Sequence, residues 1–251
     1  MMIEKPQQNE LAIDCFLLAG RIMMESGAET YRVEDTMLRM ARSQNMNDAQ
    51  SYVTPTGIIF SLGKTQPTRI SAISTRVTDL HRIALVNNVS RKLTSHIITL
   101  EQAYDELNKI QKTNYFLPII IQVLAASFAS ISFLILFGGI WGDMPAAFIA
   151  GGAGLYVATM MQKLTRVKFF SEFVATLVVG MIASLALYFG YGTQIDKIII
   201  GSVMPLVPGL LITNAVRDLM AGHFTAGMAK GAEAFLTAFA IGAGIALVMA
   251  W

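Results

Sequence analysis

A chain of 251 residues that is 54% hydrophobic and only 14% charged, with a mean hydropathy of +0.53, is too apolar for an ordinary water-soluble domain and falls in the membrane class. Its net charge of +2 gives no argument for nucleic acid, and none is expected as a partner. The single cysteine, Cys15, excludes an intrachain disulfide and a cysteine-based metal cluster, and no metal or other cofactor is expected.

The opening residues MMIEKPQQNE are polar and lack the apolar centre of a secretory signal. Charge is unevenly placed along the chain. Residues 1–116 hold 13 Lys/Arg and 12 Asp/Glu, whereas residues 117–251 hold 6 and 5. That shift predicts a small cytoplasmic α+β domain over 1–114 and a transmembrane domain over 115–251. The expected fold class is therefore an α-helical integral membrane protein with five transmembrane helices behind a soluble domain.

Leu11, Cys15, Leu18 and Ile22 recur at i, i+4, i+7 and i+11, which predicts an amphipathic helix over 8–25, ended by Ser26-Gly27. A second helix is expected over 30–43, with Val33, Met37 and Met40 on one face. Its opening stretch, GAETYRVEDTMLRMA, crowds Glu29, Arg32, Glu34 and Asp35 at the helix start. Acidic groups there complement the positive end of the helix dipole. The alternative is a polar surface that meets substrate, the membrane half or a partner.

AQSYVTP, GIIFSL and TRISAIS read as three short strands, separated by Pro55-Thr56-Gly57 and by the segment 63–67. Thr78-Asp79 opens a helix to about Leu93, and Thr99 with Gln102 forms a capping box for the next. Two enzyme-like signals fail here. GIIFSLGKT has five residues between Gly57 and Gly63 where a phosphate loop has four, and it sits in a hairpin. Ser61 to Lys64 has the Ser-x-x-Lys spacing of some acyl enzymes, without their partner motifs. His81 and His96 have no evident co-ligands.

Five charge-free runs follow: Leu117–Gly142, Met144–Gln162, Phe173–Ile195, Ile198–Val216 and Ala234–Trp251. Each reaches the roughly 18 to 20 residues needed to cross the hydrocarbon layer, the last by extending back through 227–233. Lys109, Lys112, Lys163, Arg166, Lys168, Arg217 and Lys230 fall on one side by this count, so the N-terminus is expected in the cytoplasm and the C-terminus outside. Small residues recur every four positions: Gly138/Gly142, Gly227/Gly231 and Ala234/Ala238/Gly242/Ala246. They suit close helix packing, within the chain or against another subunit.

The fourth run is unusual. Pro205, Pro208 and Gly209 interrupt it, and Asn214, Arg217 and Asp218 follow at i, i+3 and i+4 on one helical face. A broken helix in a bilayer leaves backbone polar groups without partners unless protein, water or substrate supplies them, a device of secondary transporters. Asn214 suits a hydroxyl or carboxylate, Arg217 a carboxylate, and Asp218 can neutralise Arg217 or carry a proton. Glu172 and Glu233 stand at the edges of the third and fifth runs. A kink without a ligand, and edge residues pairing or snorkelling, are the structural alternatives; for Lys230, pairing with Glu233 is one of them.

GAETYRVEDTMLRMA, TPTGIIFS at 54–61 and PLVPGLLITNAVRDLMAGHFTAG at 205–227 together resemble the threonine/serine exporter family, in particular the longer subunit of its split, succinate-exporter-type inner-membrane pair. The resemblance covers nearly the whole chain. It implies export of small polar metabolites, threonine and serine or succinate. It also implies a second small membrane subunit, because the single-chain form has about twice as many spans. The family's motif positions fall on Gly27, Glu29, Thr30, Arg32, Glu34 and Asp35, and on Pro205, Pro208, Gly209, Asn214 and Asp218. The expectation is a non-enzymatic exporter subunit in the plasma membrane, taking threonine/serine-type amino acids. Its alternatives are a dicarboxylate exporter subunit, a membrane-anchored hydrolase with Ser61 or Cys15 as nucleophile, and a regulatory subunit.

Overall fold

The amphipathic period set by Leu11, Cys15, Leu18 and Ile22 produces helix α1, Lys5–Glu25, and the second periodic stretch produces α2, Thr30–Ser43. The computed structural model describes residues 5–63 and 67–250; Lys64 of the Ser-x-x-Lys tetrapeptide and Trp251 of the last apolar run lie outside them. Strands β1 (Gln50–Thr54), β2 (Gly57–Ser61) and β3 (Arg69–Ala72) form an antiparallel sheet in the order β1-β2-β3. Thr54 pairs with Gly57 across the Pro55-Thr56 turn, and Gln50 with Ser61 at the far end. The Thr54 hydroxyl closes the turn by accepting the Gly57 N–H at 3.1 Å. Helices α3 (Leu80–Thr94) and α4 (Leu100–Lys112) follow. Asp79 caps α3 by accepting the Arg82 N–H, and Thr99 with Gln102 makes a reciprocal capping box on α4.

Beyond residue 116 follow helices α5 (Ile119–Leu136), α6 (Met144–Thr165), α7 (Lys168–Tyr188), α8 (Ile195–Val203), α9 (Gly209–Met220) and α10 (Phe224–Met249), all predominantly apolar except α9, which has a polar face. Four are long and apolar enough to cross a membrane: α5, α6 with its preceding turn, α7 and α10. A fifth crossing is counted only if α8 and α9 act as one span. They are separated by a 3-10 turn at Met204–Leu206 and bent by 59°. The proline chemistry explains the break. Neither Pro205 nor Pro208 has an N–H to give the carbonyl four residues back, and Val207 N–H turns instead to the Met204 carbonyl. Helix α10 does begin well before Ala234, at Phe224.

The chain divides into two compact units. The first contains the residues up to Tyr115 together with Leu210–Gly231; the second contains Phe116–Gly209 and the residues from Ala232 onward. In the first, α1 lies on one face of the sheet. Phe16 meets Phe60 edge to face, and Gly20 lets α1 approach Met37 and Ile58 so closely that a Cβ there would strike the Met37 sulfur and crowd Ile58. In the second, the buried faces are small. Gly151 and Gly152 of α6 admit Ser130 and Ser127 of α5, and Gly244 of α10 admits Thr176 of α7. Asp143, fully buried before α6, accepts hydrogen bonds from Thr193 N–H (2.7 Å), the Thr193 hydroxyl and Gln194 N–H, and so binds the turn before α8 to the turn before α6.

One reading of the small residues is corrected. Gly138 and Gly142 are not on the first span's packing face: α5 ends at Leu136, Gly138 terminates it at φ +77°, and Gly142 sits in a 3-10 turn. On α10, Ala234 and Gly244 face inward, whereas Ala238, Gly242 and Ala246 are exposed. The physical reason is the helical period: a strict four-residue repeat drifts around a helix with 3.6 residues per turn.

Candidate functional site

Helix α9 carries Asn214, Arg217 and Asp218 on one face, and α10 carries Lys230 near its start. All four reach the segment Gly27–Thr30, in the same unit. Gly27 adopts φ +83°, a conformation that disfavours a side chain, and this turn ends α1. The Gly27 carbonyl accepts from Asn214 Nδ2 at 2.9 Å, and the Ala28 carbonyl from Lys230 Nζ at 3.0 Å.

At the centre stand Thr30, Asp218 and Lys230, each at most 3% exposed. Asp218 Oδ1 accepts the Thr30 backbone N–H at 2.9 Å, and Oδ2 accepts the Thr30 hydroxyl at 2.9 Å. Lys230 Nζ lies 2.7 Å from Asp218 Oδ2 and 3.2 Å from Thr30 Oγ1. Glu29, the residue capping α2, provides no side-chain cap of its own. The Asp218 carboxylate therefore does that work from 188 residues away, at the positive end of the helix dipole. A buried ion pair costs several kcal/mol of desolvation per ion unless its hydrogen bonds are completed. Here each Lys230 proton has an acceptor and both Asp218 oxygens have donors.

A more exposed layer surrounds this pair. Arg217 donates to Glu29 Oε1 at 2.6 Å, and Arg32 reaches Glu29 Oε2 at 3.3 Å. Burial pushes the Glu29 carboxyl up, but its own backbone N–H, the Arg217 guanidinium and the Arg32 charge outweigh that and hold it below the usual carboxylate range. Glu34 accepts the Val53 N–H at 2.8 Å and faces His223 at 3.8 Å. Burial raises its pKa and the Asp218 charge adds to the rise, against the opposing pull of Val53 N–H and His223.

The motif expected over residues 27–35 is thus mostly gathered here: Gly27, Glu29, Thr30, Arg32 and Glu34 all take part. Asp35 does not; it pairs with Arg39 at 2.7 Å on the exposed side of α2. Pro205, Pro208 and Gly209 shape the break before α9 and belong to the second unit or its edge. Glu172 also lies in the second unit. It is buried on α7 near Lys168, Glu233 and Thr237, while Lys168 donates to Glu233 at 3.3 Å. Glu172 Oε2 and Thr237 Oγ1 are buried without a hydrogen-bond partner among the described residues.

Sequence reasoning missed the part played by Lys230. It pairs with Asp218, not with Glu233, because Gly227 and Gly231 bring α10 close to Leu219 and Ala215 of α9. The available signal was a lysine set among small residues at the entrance to an apolar helix. Neither nucleophile of the hydrolase alternative is disposed to react. Burial pushes the Cys15 thiol up to about 12, and the Ser61 hydroxyl closes a turn on Gly63. Among the described residues, no group of three or more metal-ligating side chains converges.

Comparison with known proteins locates this architecture. A family model described as "Putative threonine/serine exporter" matches residues 14–251. A "Probable threonine/serine exporter" of Mycobacterium tuberculosis is 22% identical over 231 residues, which are 90% of this chain and 44% of that protein. This chain therefore spans less than half of that relative. A "Probable succinate transporter subunit YjjP" of Klebsiella aerogenes is 24% identical over 99% of this chain and 96% of its own length. The protein of the same name from Escherichia coli is 23% identical over 95% and 92%. No solved structure matches. With 238 of its 251 residues matched and several helices long enough to cross a bilayer, the chain belongs to the threonine/serine exporter family and is a multi-pass membrane protein of transporter type.

Proposed function

We propose that this chain is one subunit of a secondary transporter that exports threonine/serine-type amino acids across the plasma membrane, together with a separate small membrane subunit. One observation carries the reading. An apolar helix is interrupted by Pro205 and Pro208, and within ten residues of the break the chain presents Asn214, Arg217 and Asp218 on one face. Interrupted helices with adjoining ions are how transporters offer backbone dipoles and charges to a small polar solute. In this reading α8 and α9 form the fifth crossing, and the sheet-bearing residues face the cytoplasm. The exposed Ala238, Gly242 and Ala246 of α10 are available to the second subunit.

Everted membrane vesicles containing this chain and its partner accumulate labelled threonine or serine when energised. Absence of accumulation with both proteins inserted overturns the reading. Pro208→Ala and Asp218→Asn each reduce the rate without blocking insertion; wild-type rates in both would make this face purely structural. A second reading, succinate export, draws support from the relatives of matching length, which are named for succinate. Accumulation of succinate and of neither amino acid selects it.

A further inference from the structure

The contacts that Asp218 and Lys230 make with Thr30 have a chemical pattern of their own. One carboxylate grips both the α-nitrogen and the β-hydroxyl of a single threonine, Oδ1 taking the N–H and Oδ2 the O–H, each at 2.9 Å. The ammonium of Lys230 donates to that same hydroxyl at 3.2 Å and spends another proton on the Ala28 carbonyl at 3.0 Å. A hydroxyl two bonds from the α-carbon, beside an α-nitrogen, is what distinguishes serine and threonine from other small amino acids and from dicarboxylates. Asp218, Lys230 and Thr30 are all buried, so the recognition is made away from water, where an unpaired group is costly.

We propose that Asp218 and Lys230 form a binding site for β-hydroxy α-amino acids, and that Thr30 of the chain itself occupies it as a tethered stand-in. The inference rests on the amino-acid reading given above and adds how that site is recognised and held closed. A free threonine has an ammonium where Thr30 has only an amide N–H, so it makes a charge-assisted contact with Asp218 that the tether lacks. Its carboxylate accepts the Lys230 N–H released from the Ala28 carbonyl, and withdrawal of the segment also frees Asn214 from Gly27 and Arg217 from Glu29. Succinate has neither the nitrogen nor the hydroxyl, and its two carboxylates meet Asp218 with like charge. The contacts that Asp218 and Lys230 make with the tether are ones a free ligand can replace.

The test measures the KM for labelled L-threonine export in vesicles holding the full chain and its partner, with the melting temperature of each purified variant recorded. Thr30→Val keeps the backbone N–H and removes the hydroxyl, so the stand-in competes less well and the KM for threonine falls, by roughly tenfold for one hydrogen bond to a charged group. Thr30→Ser keeps both contacts, and its KM stays closer to wild type than to Thr30→Val. Gly27→Ala strains the turn that presents the segment and lowers KM without touching Asp218. L-2-aminobutyrate, which lacks the hydroxyl, competes poorly with threonine throughout. If wild type exports threonine but Thr30→Val and Gly27→Ala, both folded, keep its KM, the stand-in is refuted and the export reading survives. If Thr30→Val does not fold, Gly27→Ala decides alone. If wild type moves neither threonine nor serine, the export reading fails and this proposal falls with it.

Discussion

The two units of this protein bury different kinds of side chain. In the sheet-bearing unit the fully buried positions include many large groups, among them Phe16, Phe60, Met23, Met37, Leu93 and Leu107. In the unit of apolar helices the buried faces carry many small residues, Ala146, Ala147, Ala150, Ala175 and Ala183 with glycines between, beside a few aliphatic ones such as Leu134, Val179 and Ile198, and among the described residues none of the buried hydrophobic ones there is aromatic. There the aromatics point outward instead: Phe128, Phe170, Phe235 and Phe239 are all exposed. Water rewards hiding large apolar groups, at about 25 cal/mol per Å². Lipid does not, because its tails are as apolar as the side chains, so close backbone approach and dispersion decide which residues face inward. The inversion marks which surface meets which solvent without reference to hydropathy averages.

That contrast can be broken most severely where the sheet-bearing unit buries the Asp218–Lys230 pair. Asp218→Ala strands Lys230 without its counter-ion and costs about 3–5 kcal/mol; thermal unfolding in detergent measures it, and adding Lys230→Met recovers much of the loss. Phe16→Ala and Phe235→Ala make the direct comparison between units. The first costs about 3–5 kcal/mol, and the second, on an outward face, less than about 1 kcal/mol in a lipid or detergent environment. Equal costs would remove the argument that the two units meet different solvents. Gly151→Leu tests the small-residue packing of the second unit. It drives a side chain into Ser130, and an overpacking cost of about 1–3 kcal/mol is expected.

The smallest effect is one of pH, and it belongs to Glu34. Its folded pKa is raised, so the folded state holds a proton that the unfolded chain, at its ordinary 4.5, does not. The destabilising charge is present at neutral pH and is relieved as pH falls through the folded value towards 4.5. The groups facing Glu34 are His223, Asp218 and the Val53 N–H. Melting curves between pH 7 and pH 5 show a gain in wild type that is smaller in Glu34→Gln. Glu29 has the opposite sign: its lowered pKa adds stability above 4.5 that is lost on further acidification.

Much of the architecture was legible because local chemistry and tertiary packing agree. Helix α2 begins at Thr30 and ends at Ser43 as its periodicity and flanks require, and the Thr99–Gln102 box sits on α4 as the spacing predicts. Four of the five apolar runs became long helices, in which the backbone satisfies itself internally. What local rules do not contain is partnership at long range. Nothing near Thr30 announces that its helix is capped by a carboxylate 188 residues later, and nothing near Lys230 separates burial against Asp218 from pairing with Glu233. The small residues of α10 do not share one face along the helix, since a four-residue repeat stays aligned only over a couple of turns.

Cys15 lies sealed in the sheet-bearing core, with a thiol that stays protonated at any physiological acidity. A maleimide added to intact cells finds no reactive sulfur in the native protein. Any cysteine engineered into a turn, such as at Gly142 or Arg166, would answer for itself alone, so the sidedness of every loop can be read without first building a cysteine-less background.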